Sequence, residues 1–123
     1  VGRAAGRRAV GRVATIGWDD FAKVDVRVGR IVGVEDFPEA RRPAFRLRID
    51  FGALGVKSSS AQLTKRYRKE DLAGRLVVAV VNFPPKRIAG FVSEVLVLGV
   101  MVEDDDVVLL HPDRDVPLGR RIA

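Results

Sequence analysis

Apolar and polar residues alternate along much of this chain, and few folds accept that pattern. Because successive side chains of a strand point to opposite faces, it predicts strands with one buried face. In the first such stretch, the apolar residues at even-numbered positions are Val24, Val26, Val28, Val32 and Val34. The odd-numbered positions carry Asp25, Arg27, Gly29, Gly33 and Glu35. This predicts one long strand that bends at its two glycines.

Further strands follow. The second stretch alternates more cleanly, with Phe45, Leu47, Ile49 and Phe51 against Arg46, Arg48 and Asp50. Residues 76–81 are wholly apolar, which is typical of a central strand covered on both faces, and residues 93–100 and 107–110 have a similar character. The acidic run 104–106 predicts a turn between the last two strands.

Two short helical segments are predicted. Ser59 and Gln62 have the Ser-x-x-Gln spacing of a capping box, in which each side chain binds a free backbone N–H at a helix start. A helix is therefore expected through Ala61, Leu63, Lys65 and Arg66. Residues 18–23 are expected to form one helical turn before the first strand.

This layout predicts an all-β single domain over residues 18–123. At least five short strands and one helical turn fit into about a hundred residues, and no predicted helix is long enough for a parallel crossover. The oligonucleotide/oligosaccharide-binding (OB) fold, a five-stranded Greek-key barrel with short helices, suits the pattern. An immunoglobulin-like sandwich would need more strands and no helix.

Composition excludes several classes of protein. The chain contains no cysteine, so disulfides, thiolate zinc sites and thiol nucleophiles are excluded, and a reducing compartment is favoured. No apolar run reaches the roughly 18 to 20 residues of a membrane span, and no secretory signal pattern follows the arginines at the start. We expect a cytoplasmic protein without membrane insertion.

The positive charge is concentrated at one end. Of the formal net charge of +6, four units come from Arg3, Arg7, Arg8 and Arg12, in a stretch without acidic residues. Residues 1–17 lack hydrophobic periodicity and caps, and we expect a disordered basic leader. It could be an arm that touches phosphates, a weak mimic of a transit peptide, or sequence upstream of the true start.

A stiff basic segment at residues 82–94 is the best candidate for a binding surface. Pro84 and Pro85 fix the backbone on the way in, and Gly90 allows the return turn, so Lys86 and Arg87 are expected to point outward. Loops placed by a rigid sheet often carry binding residues. The alternative is an ordinary exposed hairpin whose charges are only solvated.

Four separated segments carry a family resemblance. They are residues 25–31 (DVRVGRI), 35–40 (EDFPEA), 58–67 (SSSAQLTKRY) and 80–87 (VVNFPPKR). In this order and spacing they resemble the bacterial CsaA family, a branch of the wider tRNA-binding-domain family, from about Asp19 to Ile122. The resemblance implies an OB-type barrel that works as a homodimer, with a chaperone-like role linked to protein export in the CsaA branch.

The chain also departs from the wider family. Its tRNA-binding members typically place an arginine before the loop glycine, where this chain has Ala89 before Gly90. One phosphate contact is therefore missing, and we expect weaker tRNA binding than in those relatives. The neighbouring apolar residues Phe83 and Phe91 suit a polypeptide ligand better.

The predicted ligand-binding residues, for polypeptide or tRNA, are Lys86, Arg87, Asn82, Phe83, Phe91, Ser93, Glu94, Ser59, Gln62, Lys65 and Arg66. Several have plainer interpretations. Ser59 and Gln62 would cap a helix, Asn82 would satisfy local backbone, and Lys65 and Arg66 would lie on a solvated helix face. Arg46 and Arg48 would extend the basic surface, and Phe37 is expected to be buried against the barrel.

Catalysis is not predicted. The single histidine, His111, precedes Pro112 without a surrounding motif, and the chain has no phosphate-binding glycine loop, nucleophile elbow or paired histidines. Three consecutive carboxylates at 104–106 would point in different directions, so neither a metal nor a cofactor is expected.

The sequence thus favours a non-enzymatic homodimer that holds unfolded or export-bound polypeptides in a basic, partly apolar groove. The alternative is a tRNA-binding protein that uses the same groove. Apolar residues on short terminal elements, Trp18 and Phe21 at one end and residues 116–122 at the other, suggest the dimer contact.

Overall fold

The computed structural model describes residues 14–123; the greater part of the predicted leader, residues 1–13, lies outside this range. Nine strands, two short helices and a 3-10 turn follow one another. They are α1 (Trp18–Ala22), β1 (Val26–Asp36), β2 (Phe45–Asp50), the 3-10 turn (Gly52–Leu54), β3 (Val56–Ala61), α2 (Lys69–Leu72), β4 (Leu76–Val80), β5 (Lys86–Ile88), β6 (Phe91–Ser93), β7 (Leu96–Val97), β8 (Gly99–Glu103) and β9 (Asp106–Leu109).

The main sheet has five strands in the order β3-β2-β1-β4-β7, and every neighbouring pair is antiparallel. Hairpins β5–β6 and β8–β9 form two further small sheets. The main sheet curls into a nearly closed barrel, because the segment around β6 and β7 returns to β3. This arrangement confirms the predicted OB-like, mostly β single domain.

The core lies inside the barrel. Ile31, Leu47, Ile49, Phe51, Leu72 and Val77 are fully buried. All five residues of β4 are buried, as predicted for a central strand covered on both sides. Phe37 is also buried, at 4% exposure, as expected.

The alternation predicted along β1 does not produce a single buried face. Val26 and Val28 are buried, but Val32 is 54% exposed and Ile31 is buried instead. Ile31 belongs to the main core, whereas Val26 belongs to a second buried cluster, so β1 is buried on both of its faces. A register shift in the pairing with β2 follows, between Ile31 and Gly33. The irregularity beside Gly33 agrees with the predicted bend, whereas burial on both faces of the strand was not predicted.

The capping box predicted at Ser59 and Gln62 was wrong. Ser59 pairs with Leu47 inside the sheet, and its hydroxyl donates to the Val95 carbonyl at 3.0 Å, so β3 continues to Ala61. The helix between the third and fourth strands begins later, at Lys69, where the Asp71 carboxylate accepts from the Arg68 N–H at 2.9 Å. Tertiary pairing overrides a local pattern here.

Polar contacts attach α1 and the C-terminal tail to the barrel. Residues 119–122 run beside β1, with hydrogen bonds from Gly119 N to Val28 O and from Ile122 N to Val26 O, both 2.8 Å. Arg121 donates to the Ala22 carbonyl at the end of α1. None of the residues of α1 is buried, and Trp18 is 87% exposed. No helix in residues 14–123 has the length and apolar character needed to span a membrane.

Candidate ligand-binding groove

Residues 82–94 fold into a hairpin that stands beside the barrel. Its two-residue turn has both residues in the left-handed region, Ala89 at φ 46° and Gly90 at φ 82°. Such turns match the twist of the flanking strands and hold a short hairpin in one register. Gly90 therefore supplies the conformation that the sequence predicts, while Ala89 adopts one that non-glycine residues rarely take.

The pairing decides which side chains face which way. Lys86 lies opposite Ser93, and Arg87 lies opposite Val92. Successive residues of a strand point to opposite faces, so the side chains of Lys86 and Arg87 project to opposite faces of the hairpin. Directly opposed residues share a face, so each of the two shares its face with its partner on β6. Both are exposed, and within residues 14–123 neither forms an ion pair.

A groove of about 550 Å³ lies on the Lys86 face of the hairpin. This volume is within the range of small-ligand sites in proteins. Most of its lining is apolar: Ala61, Leu63, Phe83, Pro84, Ile88, Val95, Leu96, Val97, Leu98, Met101 and Val107. Its polar lining consists of Ser60, Gln62, Lys86, Ser93, Glu94 and Asp104.

The groove's charged residues are one cation and two carboxylates. Lys86 is accompanied by Glu94 and Asp104. The Glu94 carboxylate already accepts two hydrogen bonds from Ser58, from the backbone N–H at 3.1 Å and from the hydroxyl at 3.0 Å. The groove is thus an apolar cleft with a single lysine on its rim, and its local charge does not favour a polyanion.

Three predicted ligand residues take part in closing the barrel. Ser59 is fully buried and binds the Val95 carbonyl, so its side chain does not reach the groove and the predicted ligand contact is not supported. The Ser93 hydroxyl accepts from the Ser60 N–H at 3.0 Å. Glu94 binds Ser58 through its carboxylate, and its backbone N–H donates to the Ser58 carbonyl at 2.8 Å. Side chains therefore supply part of the hydrogen bonding between β3 and the segment around β6 and β7.

Neither Asn82 nor Phe91 lines the groove: Asn82 lies before the first strand of the hairpin, and Phe91 lies directly after its turn. The Asn82 amide donates to the Lys23 carbonyl at 2.6 Å and accepts from the Asp25 N–H at 3.0 Å. The Asn82 side chain thus satisfies the hydrogen bonding of local backbone groups, which is the plainer of the two interpretations of this residue. The Phe91 ring packs edge-on against Phe37 with centroids 5.4 Å apart.

Lys65 and Arg66 lie in a turn after β3 and outside the groove lining. The Arg66 guanidinium donates to both oxygens of Asp106, at 2.7 and 2.8 Å. These hydrogen bonds hold the pKa of the Asp106 carboxyl below its ordinary value, and they raise the pKa of Arg66. Arg66 therefore fastens the β8–β9 hairpin to the barrel.

Of the eleven predicted residues, the groove brings together Gln62, Phe83, Lys86, Ser93 and Glu94. Sequence reasoning missed most of the apolar wall, including Met101 and Val107 from the β8–β9 hairpin. The alternation identifies strand residues but does not say which strand faces meet across a cleft. The part of the chain that the structure describes contains no cluster of three or more His, Cys, Asp or Glu residues suited to a metal ion.

Comparisons with known proteins agree with this fold. The family model described as "Putative tRNA binding domain" matches residues 26–121. The crystal structure of the chaperone CsaA from Bacillus anthracis has a TM-score of 0.86 and 58% identity, over 89% of this chain and 100% of that one. The CsaA chaperone protein from Picrophilus torridus has a TM-score of 0.81 and 52% identity, with the same coverage. This protein is therefore CsaA-like.

The chain also resembles part of a longer curated protein. It is 39% identical to the methionine–tRNA ligase of Thermococcus onnurineus over 112 residues, which cover 91% of this chain. The match spans only 15% of that ligase.

Proposed function

The chain belongs to the tRNA-binding-domain family, and we propose that within it this protein is a non-enzymatic, CsaA-like chaperone. It holds unfolded or export-bound polypeptide segments in the groove beside hairpin β5–β6. The observation that carries this proposal is the apolar lining of the groove, to which Phe83, Ile88, Leu96, Val97 and Met101 contribute.

An apolar cleft with few charges suits the side chains of an unfolded chain. Phe83 is 46% exposed and Met101 is 54% exposed, so both offer apolar surface without rearrangement. Exposed apolar patches of this kind commonly mark sites of protein interaction. Methionine adapts to side chains of different shapes, which a holder of many clients requires. Lys86 on the rim adds contact to acidic or carbonyl groups of the client.

A homodimer is part of the proposal. The N-terminal segment exposes Ile16 at 70% and Trp18 at 87%, and α1 is too short to bury them by itself. A second copy would cover these side chains and would give two grooves on one body, which raises the apparent affinity for a long client. Light scattering should report twice the mass of one chain at micromolar concentration, and a monomer there contradicts the dimer.

Binding of tRNA is the second candidate function. The match to the family model over residues 26–121 favours it, as do Lys86 and Arg87, which are exposed and have no ion-pair partner among residues 14–123. The two functions differ in their response to salt. Phosphate contacts weaken steeply as salt rises, whereas binding to apolar surface changes little or strengthens.

The test compares two variants that place a carboxylate at equally exposed positions. Met101→Glu alters the groove, while Val32→Glu alters β1 outside it, and both residues are 54% exposed. The ligand is a reduced, carbamidomethylated protein, which remains unfolded, and binding is followed by fluorescence anisotropy. Because the variant places a charge in an apolar contact, Met101→Glu should weaken binding on the order of tenfold. Val32→Glu should leave it unchanged, and equal effects of both would contradict the assignment of the groove.

A further inference from the structure

The only sulfur atom of this chain lies in the wall of the groove. The sequence contains one methionine, Met101, and no cysteine. Met101 belongs to β8, where it lies opposite Val107 of β9, and both residues line the groove. Oxidation of sulfur in this chain is therefore confined to one side chain, and that side chain belongs to the proposed binding surface.

Met101 is open to an oxidant in solution. It is 54% exposed, and its neighbours Val100 and Val102 are each 53% exposed. A small peroxide can therefore reach the thioether while the protein stays folded. Methionine side chains are common targets of such oxidation, which converts the thioether into a sulfoxide.

The fold does not depend on the Met101 side chain. Met101 belongs to neither of the two buried clusters. Other contacts fasten the hairpin that carries it, because Arg66 donates to both oxygens of Asp106 and the Tyr67 hydroxyl accepts from the Leu109 N–H at 3.0 Å. Oxidation should therefore leave the barrel and hairpin β8–β9 in place and change the surface of the groove.

A sulfoxide at this position opposes the binding of apolar side chains. The thioether is apolar and adapts to different shapes, whereas the sulfoxide carries a strongly polar oxygen. A client that packs its apolar side chains against this wall removes water from that oxygen without replacing the lost hydrogen bonds. Removing a polar group from water without such compensation is unfavourable.

We infer that Met101 is a reversible oxidation site that lowers the affinity of the groove for unfolded polypeptide. The inference rests on the proposed function, since the groove must hold polypeptide. The oxidant is a hydroperoxide, and the sulfur lone pair attacks one of its oxygens, so that an S–O bond forms as the O–O bond breaks. The sulfur loses two electrons and the peroxide gains them. With hydrogen peroxide, the transferred hydroxyl gives its proton to the leaving hydroxide, which departs as water.

The experiment treats the wild-type protein with hydrogen peroxide and removes the peroxide before any client is added. Mass spectrometry should show one added oxygen atom on Met101. Binding of a reduced, carbamidomethylated protein, followed by fluorescence anisotropy, should then be roughly three- to tenfold weaker than before treatment. Methionine sulfoxide reductases for both sulfoxide epimers, supplied with a thiol, should restore the affinity, since they reverse this modification.

Two variants separate the groove from other effects of peroxide. Met101→Leu has no sulfur, and its affinity for the client should be the same before and after treatment. Adding Val32→Met to Met101→Leu moves the thioether to a residue that is also 54% exposed but does not line the groove. This double variant should be oxidised without a change in affinity. Urea unfolding of oxidised wild type should match that of the untreated protein.

Three results would each overturn the inference while the proposed chaperone function stands. They are resistance of Met101 to peroxide, full oxidation of Met101 with unchanged client affinity, and an equal loss of affinity in treated Met101→Leu. A loss of affinity that accompanies unfolding would also overturn it, because the cause would then be damage to the fold. Failure of the untreated protein to bind polypeptide would refute the proposed function, and the inference with it.

Discussion

The Glu94 carboxylate accepts hydrogen bonds from both the backbone N–H and the hydroxyl of Ser58, a residue 36 positions earlier in the chain. The backbone N–H of Glu94 returns a bond to the Ser58 carbonyl. This contact joins β3 to the end of hairpin β5–β6, so it holds the hairpin against the barrel. Glu94 therefore fixes the position of the hairpin that borders the groove.

Removing this contact should loosen the barrel. Glu94→Ala leaves the Ser58 N–H without its partner, and we expect a loss of about 1–3 kcal/mol in the free energy of unfolding by urea. Ser58→Ala combined with Glu94→Ala should cost less than the sum of the single changes, since the two residues share the contact. The exposed Glu39, changed to Ala, is the control and should shift stability by at most about 0.5 kcal/mol. If the stability lost in the double variant equals the sum of the two single losses, the contact between Ser58 and Glu94 is contradicted.

The two glycines of β1 should differ sharply in their tolerance of a methyl group. A Cβ at Gly29 would lie 2.7 Å from Cε1 of the buried Phe51, whereas one at Gly33 meets Arg48 at an ordinary 3.5 Å. Gly29→Ala should destabilise the protein by about 1–3 kcal/mol, because the core must shift. Gly33→Ala should be neutral or slightly stabilising, because it restricts the unfolded chain. Urea unfolding of both variants measures the difference, and equal effects would show that β1 does not pack as described.

The ion pair between Arg66 and Asp106 predicts a pH dependence. Hydrogen bonds from Arg66 lower the folded-state pKa of Asp106 from its ordinary value of 3.8. The stabilisation is therefore fully present above that ordinary value and is lost as pH falls through the folded-state pKa. Asp106→Asn should be less stable than wild type at neutral pH, and the difference should vanish at acid pH.

The neighbouring carboxylate Asp104, which has no ion pair within the described range, provides the control as Asp104→Asn. Its stability relative to wild type should show no such convergence. A difference for Asp106→Asn that stays constant down to the lowest pH measured would exclude the ion pair as its source.

A substitution at the tip of hairpin β5–β6 should increase the affinity for tRNA. Ala89 lies directly before the turn glycine, a position at which the tRNA-binding members of the family typically carry an arginine. Ala89→Arg should add one phosphate contact, so that tRNA affinity rises and the salt slope steepens by roughly 1. Ala89→Gln is the uncharged control and should leave both quantities unchanged. Identical behaviour of the two variants would argue against a phosphate near the tip.

Much of the barrel could be predicted from the sequence because alternation reports strands directly. The residues of β2 and β4 follow the pattern without exception, and the turn at Gly90 follows from the conformational freedom of glycine. The prediction failed where residues remote in the sequence determine the local structure. Ser59 has the local pattern of a helix cap, yet its partners, Leu47 and Val95, lie in segments remote in sequence.

The candidate site was predicted only in part for the same reason. Residues 82–94 form the exposed basic hairpin that the prolines, glycine and cations indicate. The sequence groups Lys86 and Arg87 as neighbours, whereas strand pairing sends them to opposite faces. Met101 belongs to the groove only because hairpin β8–β9 folds back against the barrel. A lining assembled from separate hairpins leaves no contiguous signal in the sequence.

The apolar groove is proposed as the polypeptide-binding surface. It is tested most directly by recording amide ¹H–¹⁵N spectra while an unfolded, carbamidomethylated protein is added. We expect the largest chemical-shift changes on groove residues such as Ile88, Val97 and Met101, with little change at Arg48 and Lys57. Changes confined to residues outside the groove, with Ile88, Val97 and Met101 unaffected, would contradict it.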